Sequence, residues 1–497
     1  MLTKSKLMAW RQCPKRLWLE VNGAELAEVR TERLARGQSV GAVAREVFGG
    51  PASVLIDRSA MSLVDARRVT ADLIAKRHTV FEGAFGDDEL TVFADIVRPD
   101  EGGWELIEVK DAGSVKPHHL DDAAIQTAAA MRTDTPPSRI SVAHLDTGWI
   151  YLGDGDYGGL FLTTDVTEEA NTLALEVGAW IQAALTTLEG AEAPRRDTGR
   201  HCQTPYPCPF LAACSATEPQ AMHPIDWLPG ALRKDAKALF EAGVREMEDI
   251  PDDALNALQL RVKTHTVSGP SYFDQAGAEA DLARCAHPLH FLDFETANPA
   301  VPIWGGTRPY AQLPFQFSLH VLSADNALEH SEFLGADGAD PSRPFAEALI
   351  RSVGPDGAVI VYNAGFEVTR LRELSQRFPD LAPQLGAIAE RVFDLQPVAK
   401  RRYYHPDQNG SWSIKKVLPC LAPELRYDQL EGVQDGVMAI DAYMQMIETD
   451  CDPDLWAKLD LQLRRYCRLD TLAMTAIWAR FIGSDDLLTR VLAQARA

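Results

Sequence analysis

The apolar positions of this chain follow two different periods, and the changes of period divide it. Short runs with apolar side chains at alternate positions predict strands at 79–85, 90–97, 104–110, 139–146 and 159–164. Patterns of period 3.6 predict helices at 116–131 and 167–187. From 218 to 282 the pattern is mostly helical, and 239–260 reads as short paired helices around a glycine turn. A second mixture follows, with strands at 289–294, 315–322, 328–334 and 358–362 and helices at 344–353 and 366–377. A helical tail begins near residue 435. The 497 residues exceed what one core usually organises. The expected fold class is α/β multidomain, with domains at 1–216 and 285–497 joined by a helical connector at 217–284.

Composition, at 46% hydrophobic and 24% charged residues, is that of a globular protein. The longest apolar-looking stretch, 171–188, contains Glu176 and Gln182 and reads as a core helix, not a membrane span. Lys4 and Lys6 are followed by Trp10-Arg11-Gln12 before any apolar run forms, so no secretory signal is expected and the location expected is cytoplasmic. The net charge of −22 argues against a general nucleic-acid-binding surface but leaves room for a local groove. Basic residues gather twice: Lys4, Lys6, Arg11, Lys15 and Arg16, then Lys400, Arg401, Arg402, Lys415 and Lys416 among Tyr403, Tyr404 and Trp412. The second group suits a single strand, with cations on phosphates and rings on bases; the alternative is a solvated loop.

Three polar residues interrupt the apolar grain of two neighbouring strands. Asp95 lies inside Val92-Phe93-Ala94-Asp95-Ile96-Val97, and Glu108 and Lys110 share one face of the next strand. The intervening Pro99-Asp100-Glu101-Gly102-Gly103 predicts a hairpin that brings Asp95 near Glu108. Burying such groups is costly unless they pair or bind metal. Two carboxylates holding divalent ions, with a lysine beside them, suit phosphodiester hydrolysis. The D-x(12)-E-x-K spacing resembles the PD-(D/E)XK nuclease superfamily, and Gln126 on the following helix resembles its RecB-like branch. That branch usually carries a Tyr where Ala130 stands and often a metal-binding His near Val40-Gly41. The resemblance implies metal binding by Asp95 and Glu108, with Lys110 and Gln126 assisting.

Of eight cysteines, Cys285, Cys420, Cys451 and Cys467 are scattered. Cys13 stands alone near the N-terminus, and Cys202, Cys208 and Cys214 follow with five residues between each in HCQTPYPCPFLAAC. Zinc sites usually show closer pairs, whereas four thiolates suit a [4Fe–4S] cluster; zinc or free thiols are the alternatives. One N-terminal and three C-terminal cysteines bracketing a D…E-x-K core resemble the iron–sulfur RecB-like nucleases, in which the cluster staples the domain.

The second acidic pattern lies in the C-terminal half. Asp293 and Glu295 share one face of the strand His290-Phe291-Leu292-Asp293-Phe294-Glu295. Asn363 and Glu367 follow the buried run Val359-Ile360-Val361, and Tyr466 and Asp470, four apart, share one helix face. Asp394 is a further acidic candidate. Carboxylates at these places can converge on two metals about 4 Å apart, with a tyrosine orienting water. The order resembles the DEDD (DnaQ-like) exonucleases of the RNase H fold, with Glu367 where an Asp is usual. The resemblance implies Asp293, Glu295, Glu367 and Asp470 as metal ligands and Tyr466 as the water-orienting group.

The whole layout resembles a bacterial family that joins an iron–sulfur RecB-like domain to an RNase H-like domain. It implies a Mg²⁺- or Mn²⁺-dependent nuclease or 3′–5′ exonuclease acting on nucleic acid, DNA with single-stranded ends before RNA. The alternative expectation is a catalytically degenerate nucleic-acid-binding scaffold for a helicase or for a repair or defence partner. No membrane partner is expected.

Overall fold

The computed structural model of the chain describes residues 1–23, 31–133 and 135–496. It is an α/β multidomain protein that divides into two compact units, Met1–Gln220 with Pro299–Ala311, and Ala221–Asn298 with Gln312–Ala497. Of the stretch 217–284 expected as a separate connector, residues 221–284 group with the second unit. Residues 299–311, expected in the second domain, belong to the first, where Ala300 and Val301 share a buried cluster with Val40, Leu145 and Leu160. Among the described residues no helix is long and apolar enough to cross a membrane.

The first unit is built on a seven-stranded mixed sheet in the spatial order Val54–Leu55, Val80–Gly86, Leu90–Asp100, Gly103–Lys110, Arg139–Leu145, Phe161–Asp165. The seventh strand, Leu2–Thr3, pairs parallel with the start of Leu90–Asp100. Leu90–Asp100 and Gly103–Lys110 form the expected hairpin, closed by the pair Asp100 and Gly103 and running in the register Ile96 opposite Ile107. Gly103–Lys110 continues into Arg139–Leu145 as a parallel pair, connected by the helix Pro117–Arg132. That helix buries Ala123, Ala124, Ala128, Ala129 and Ala130, small enough to let it lie close on the sheet and on the helix Thr167–Glu189.

In the second unit a five-stranded sheet has the order Leu328–Leu334, Leu313–Leu322, Leu289–Ala297, Ala358–Val361, Val392–Asp394. Its first three strands are antiparallel, and the last two run parallel to Leu289–Ala297. Such central strands are apolar on both faces: Phe291, Leu292, Phe317, Leu319, Val359 and Val361 are fully buried. The 29-residue helix Pro453–Phe481 packs on Leu289–Ala297 and Leu313–Leu322. A long interior face, from Tyr466 to Phe481 with few interruptions, buries it.

Ala130, the position at which the RecB-like resemblance leads one to expect a tyrosine, is fully buried. A phenol there overpacks the core of the first unit. Ala130→Tyr is expected to cost about 3 kcal/mol in denaturant unfolding; an unchanged midpoint shows that the core has room for the ring.

Candidate functional sites

The hairpin register and one cross-strand hydrogen bond assemble the first site. The backbone N–H of Val109 donates to Asp95 Oδ2 at 2.8 Å, which fixes the Asp95 carboxylate beside Glu108. Glu108 is fully buried, and burial alone pushes its pKa up. Lys110 and Lys4 outweigh that and hold Glu108 well below the usual carboxylate range. Lys110 Nζ is 2.6 Å and Lys4 Nζ 2.9 Å from Glu108 Oε1, while Gln126 Nε2 donates to Oε2. Lys110 also donates to Asp122, one helical turn before Gln126. Burial, then the neighbouring Glu108, push Asp95 up to about 7. All four residues expected here from the sequence are brought together, and the structure adds Lys4 and Asp122.

The four cysteines are free thiols that line one cavity. Cys13 follows the helix Lys4–Gln12, Cys202 ends the short turn Arg200–Cys202, and Cys214 lies on Leu211–Ala216. Gln12, next to Cys13, donates to the carbonyls of His201 and Tyr206 at 2.8 and 2.7 Å, tying the N-terminal helix to the loop that carries Cys202 and Cys208. Burial pushes the Cys208 thiol up, although the nearby Arg16 opposes this.

In the second unit the acidic residues come from three elements. Asp293 and Glu295 lie on Leu289–Ala297, Asp470 on Pro453–Phe481, and ligand atoms of the three lie within 4.8 Å of one another. Among the described residues no lysine, arginine or histidine forms an ion pair with them. Burial, then the other carboxylates, push Asp293 and Glu295 well above their ordinary values, and burial lifts Asp470 to about 6. Tyr427 donates to Asp470 Oδ1 at 2.6 Å. Glu367, in the first turn of Gly365–Arg377, is buried with Oε2 lacking a hydrogen-bond partner; burial, then Asp394, push it up to about 8. Tyr466 is held far above the phenol range by burial and by these carboxylates, so its hydroxyl keeps its proton. Lys415 Nζ lies 5.0 and 5.1 Å from the ring centres of Tyr427 and Tyr466.

Two other sequence candidates have structural occupations. Asp394 Oδ1 accepts from the N–H groups of Asn363 and Gln396, and Oδ2 from Ala364, each at 3.0 Å, so it braces the turn carrying Asn363. Asn363 needs that brace because its φ of 79° is in the left-handed region. The basic–aromatic segment 400–412 does not form a stacking surface: Tyr403, Tyr404 and Trp412 are buried, and Arg401 and Arg402 pair with Asp281. Tyr427, buried and bonded to Asp470, and Lys415, packed over the rings of Tyr427 and Tyr466, were not assigned to the site from the sequence. A third carboxylate group, His223 with Glu246 and Glu248, is a turn brace, since Glu246 accepts from the N–H groups of Met222 and His223.

Residues 290–413 match a family model described as a domain of unknown function, DUF2779. That stretch holds Asp293, Glu295 and Glu367 and ends before Tyr466 and Asp470. The chain is 30% identical over 207 residues to the uncharacterized protein MG366 homolog of Mycoplasma pneumoniae, a match over 38% of this chain and 31% of that protein. It is 24% identical over 224 residues to the uncharacterized protein MG366 of Mycoplasma genitalium, over 40% of this chain and 33% of that protein. The likeness to the uncharacterized protein UU173 of Ureaplasma parvum is 24% over 208 residues, 38% of this chain and 30% of that protein. The chain spans about a third of the length of these curated relatives.

The buried acids set a pH dependence. A carboxyl whose folded pKa is raised adds no penalty below its unfolded pKa near 4, and costs stability as pH rises through the folded value, about 6 for Asp470. Asp293→Asn removes one of these charges. With chelator present, the variant is expected to exceed wild type in stability at pH 8 by about 1 kcal/mol or more, and to match it near pH 4. Denaturant unfolding at both pH values checks this; a variant less stable than wild type at pH 8 contradicts it.

Proposed function

We propose that the protein is a metal-dependent nuclease whose working centre is the Asp293, Glu295 and Asp470 site, with Glu367 as a fourth carboxylate. The observation that carries this is a cluster of mutually repelling carboxylates, Glu295 and Asp470 buried and Asp293 partly so, gathered without an ion-paired cation among the described residues, a donor set that fits Mg²⁺ or Mn²⁺. A divalent ion bound there supplies Lewis-acid polarisation of a phosphate and a more acidic water. Tyr466 keeps its proton and can donate a hydrogen bond to that water, and Tyr427 holds Asp470 in orientation. Lys415 places a positive charge at the edge of the site, where a phosphate can meet it. The acids lie on a first strand, after a later strand and on a C-terminal helix, which supports the DEDD-like reading.

In the first unit, the hairpin with Asp95, Glu108 and Lys110, followed by a helix with Gln126, supports the PD-(D/E)XK-like reading. Four free thiols around one cavity support a [4Fe–4S] cluster that ties the N-terminal helix to the loop at 202–214. Cys208→Ala is expected to yield colourless protein that unfolds at a lower temperature; brown protein as stable as wild type contradicts the cluster.

The nuclease reading is tested with anaerobically purified protein, Mn²⁺ and 5′-labelled single-stranded DNA. Wild type is expected to give a product ladder. Asp293→Ala is expected to lose activity by more than the roughly 10–100-fold typical of losing a partner of a metal ligand, and Lys110→Ala to retain it. Loss in Lys110→Ala alone moves the working centre to the first unit. Binding without cleavage by wild type favours the scaffold reading.

A further inference from the structure

Lys4 stands directly after the strand Leu2–Thr3, whose pairing with Leu90 and Thr91 fixes where the chain enters the first site. Its ammonium is 2.9 Å from Glu108 Oε1 and 3.7 Å from Asp122 Oδ1. Lys110 reaches the same Glu108 oxygen at 2.6 Å, and Gln126 takes the other. Both oxygens of the central carboxylate are therefore occupied by donors, unlike those of the second unit. The charges also matter. Asp95, Glu108 and Asp122 face Lys4 and Lys110, with Arg58 also acting on Asp95. Withdrawing Lys4 removes one positive charge from this group, which a cation beside Asp95 and Glu108 replaces. Lys110 is fixed on the same strand as Glu108, but Lys4 belongs to another element, and its side chain is 22% exposed. Rotation of its flexible four-carbon stem is enough to carry the ammonium to solvent.

We propose that Lys4 is the resident counter-ion of the first site, holding the place that a divalent cation takes beside Asp95 and Glu108, so that an ion enters only as Lys4 withdraws. This rests on the nuclease-type reading of Asp95, Glu108 and Lys110 and adds that the two sites differ in metal demand. The second loads at low metal concentration, and the first is gated by an internal ammonium.

Two measurements test it, neither using nucleic acid, so a failure to cleave DNA leaves them readable. In full-length protein with the second site disabled by Asp293→Asn, Mn²⁺ is titrated calorimetrically. Lys4→Met is expected to bind one ion at least about tenfold more tightly than the Lys4 form, because a positive charge within about 4 Å of the ion is gone. Lys4→Arg is expected to resemble Lys4. Equal or weaker binding by Lys4→Met overturns the proposal. In the same Lys4 protein, acylation of the Lys4 amine is followed by mass spectrometry. Saturating Mn²⁺ is expected to raise its labelling several-fold, and Glu108→Gln to abolish the rise. An unchanged labelling rate with Mn²⁺ overturns the proposal even if Lys4→Met does not fold.

Discussion

The mutual repulsion of Asp293, Glu295 and Asp470 is the constraint around which the second unit is arranged. Three carboxylates this close, two of them buried and one partly so, resist ionising together at neutral pH without a cation, and their raised pKa values record that conflict. The fold holds them in place against it. Asp293 and Glu295 sit on a central strand, paired there with Ser318 and Gln316 and anchored at its start by Ala358–Ile360, and Asp470 sits on a long helix buried along most of that face. Neither element can relax without breaking a sheet ladder or opening an apolar core. Strain of this kind is tolerated where chemistry needs it, and a divalent cation is the simplest group that relieves it.

The first unit handles the same residue types differently. Glu108 is buried more deeply than Asp293, yet its pKa moves the opposite way, because two ammonium groups and an amide surround it. The contrast lies in the neighbours, not in the depth. It also explains why a shared motif vocabulary of acids on strands does not by itself fix metal demand. The helix Lys4–Gln12 carries a site residue at its start and is followed by a cysteine of the cavity at its end, so one rigid element joins both features of that unit.

Much of this was legible before the structure. Alternation and a Pro–Gly turn predicted the hairpin, and the pairing of Ile96 with Ile107 gives the register that brings Asp95 to Glu108. Asp293 and Glu295, and Tyr466 and Asp470, share faces because spacings of two and four do so on strands and helices. Lys4 was not legible as a site residue, since it reaches Glu108 across 104 positions and no local period carries that information. Asp122 did have a signal, four residues before Gln126 on the same helix. The segment 400–412 misled because composition does not distinguish a buried ring from an exposed one; Tyr404 is fully buried. Residues 299–311 lack regular strand or helix, so nothing in their pattern announced that they fold with the first unit.

The most direct measurement of the central claim is anomalous diffraction from crystals of wild-type protein grown with Mn²⁺. The predicted result is an ion peak among Asp293, Glu295 and Asp470 that disappears in Asp293→Asn. A map with no ion there, and with the Lys415 ammonium hydrogen-bonded among the three carboxylates instead, contradicts it.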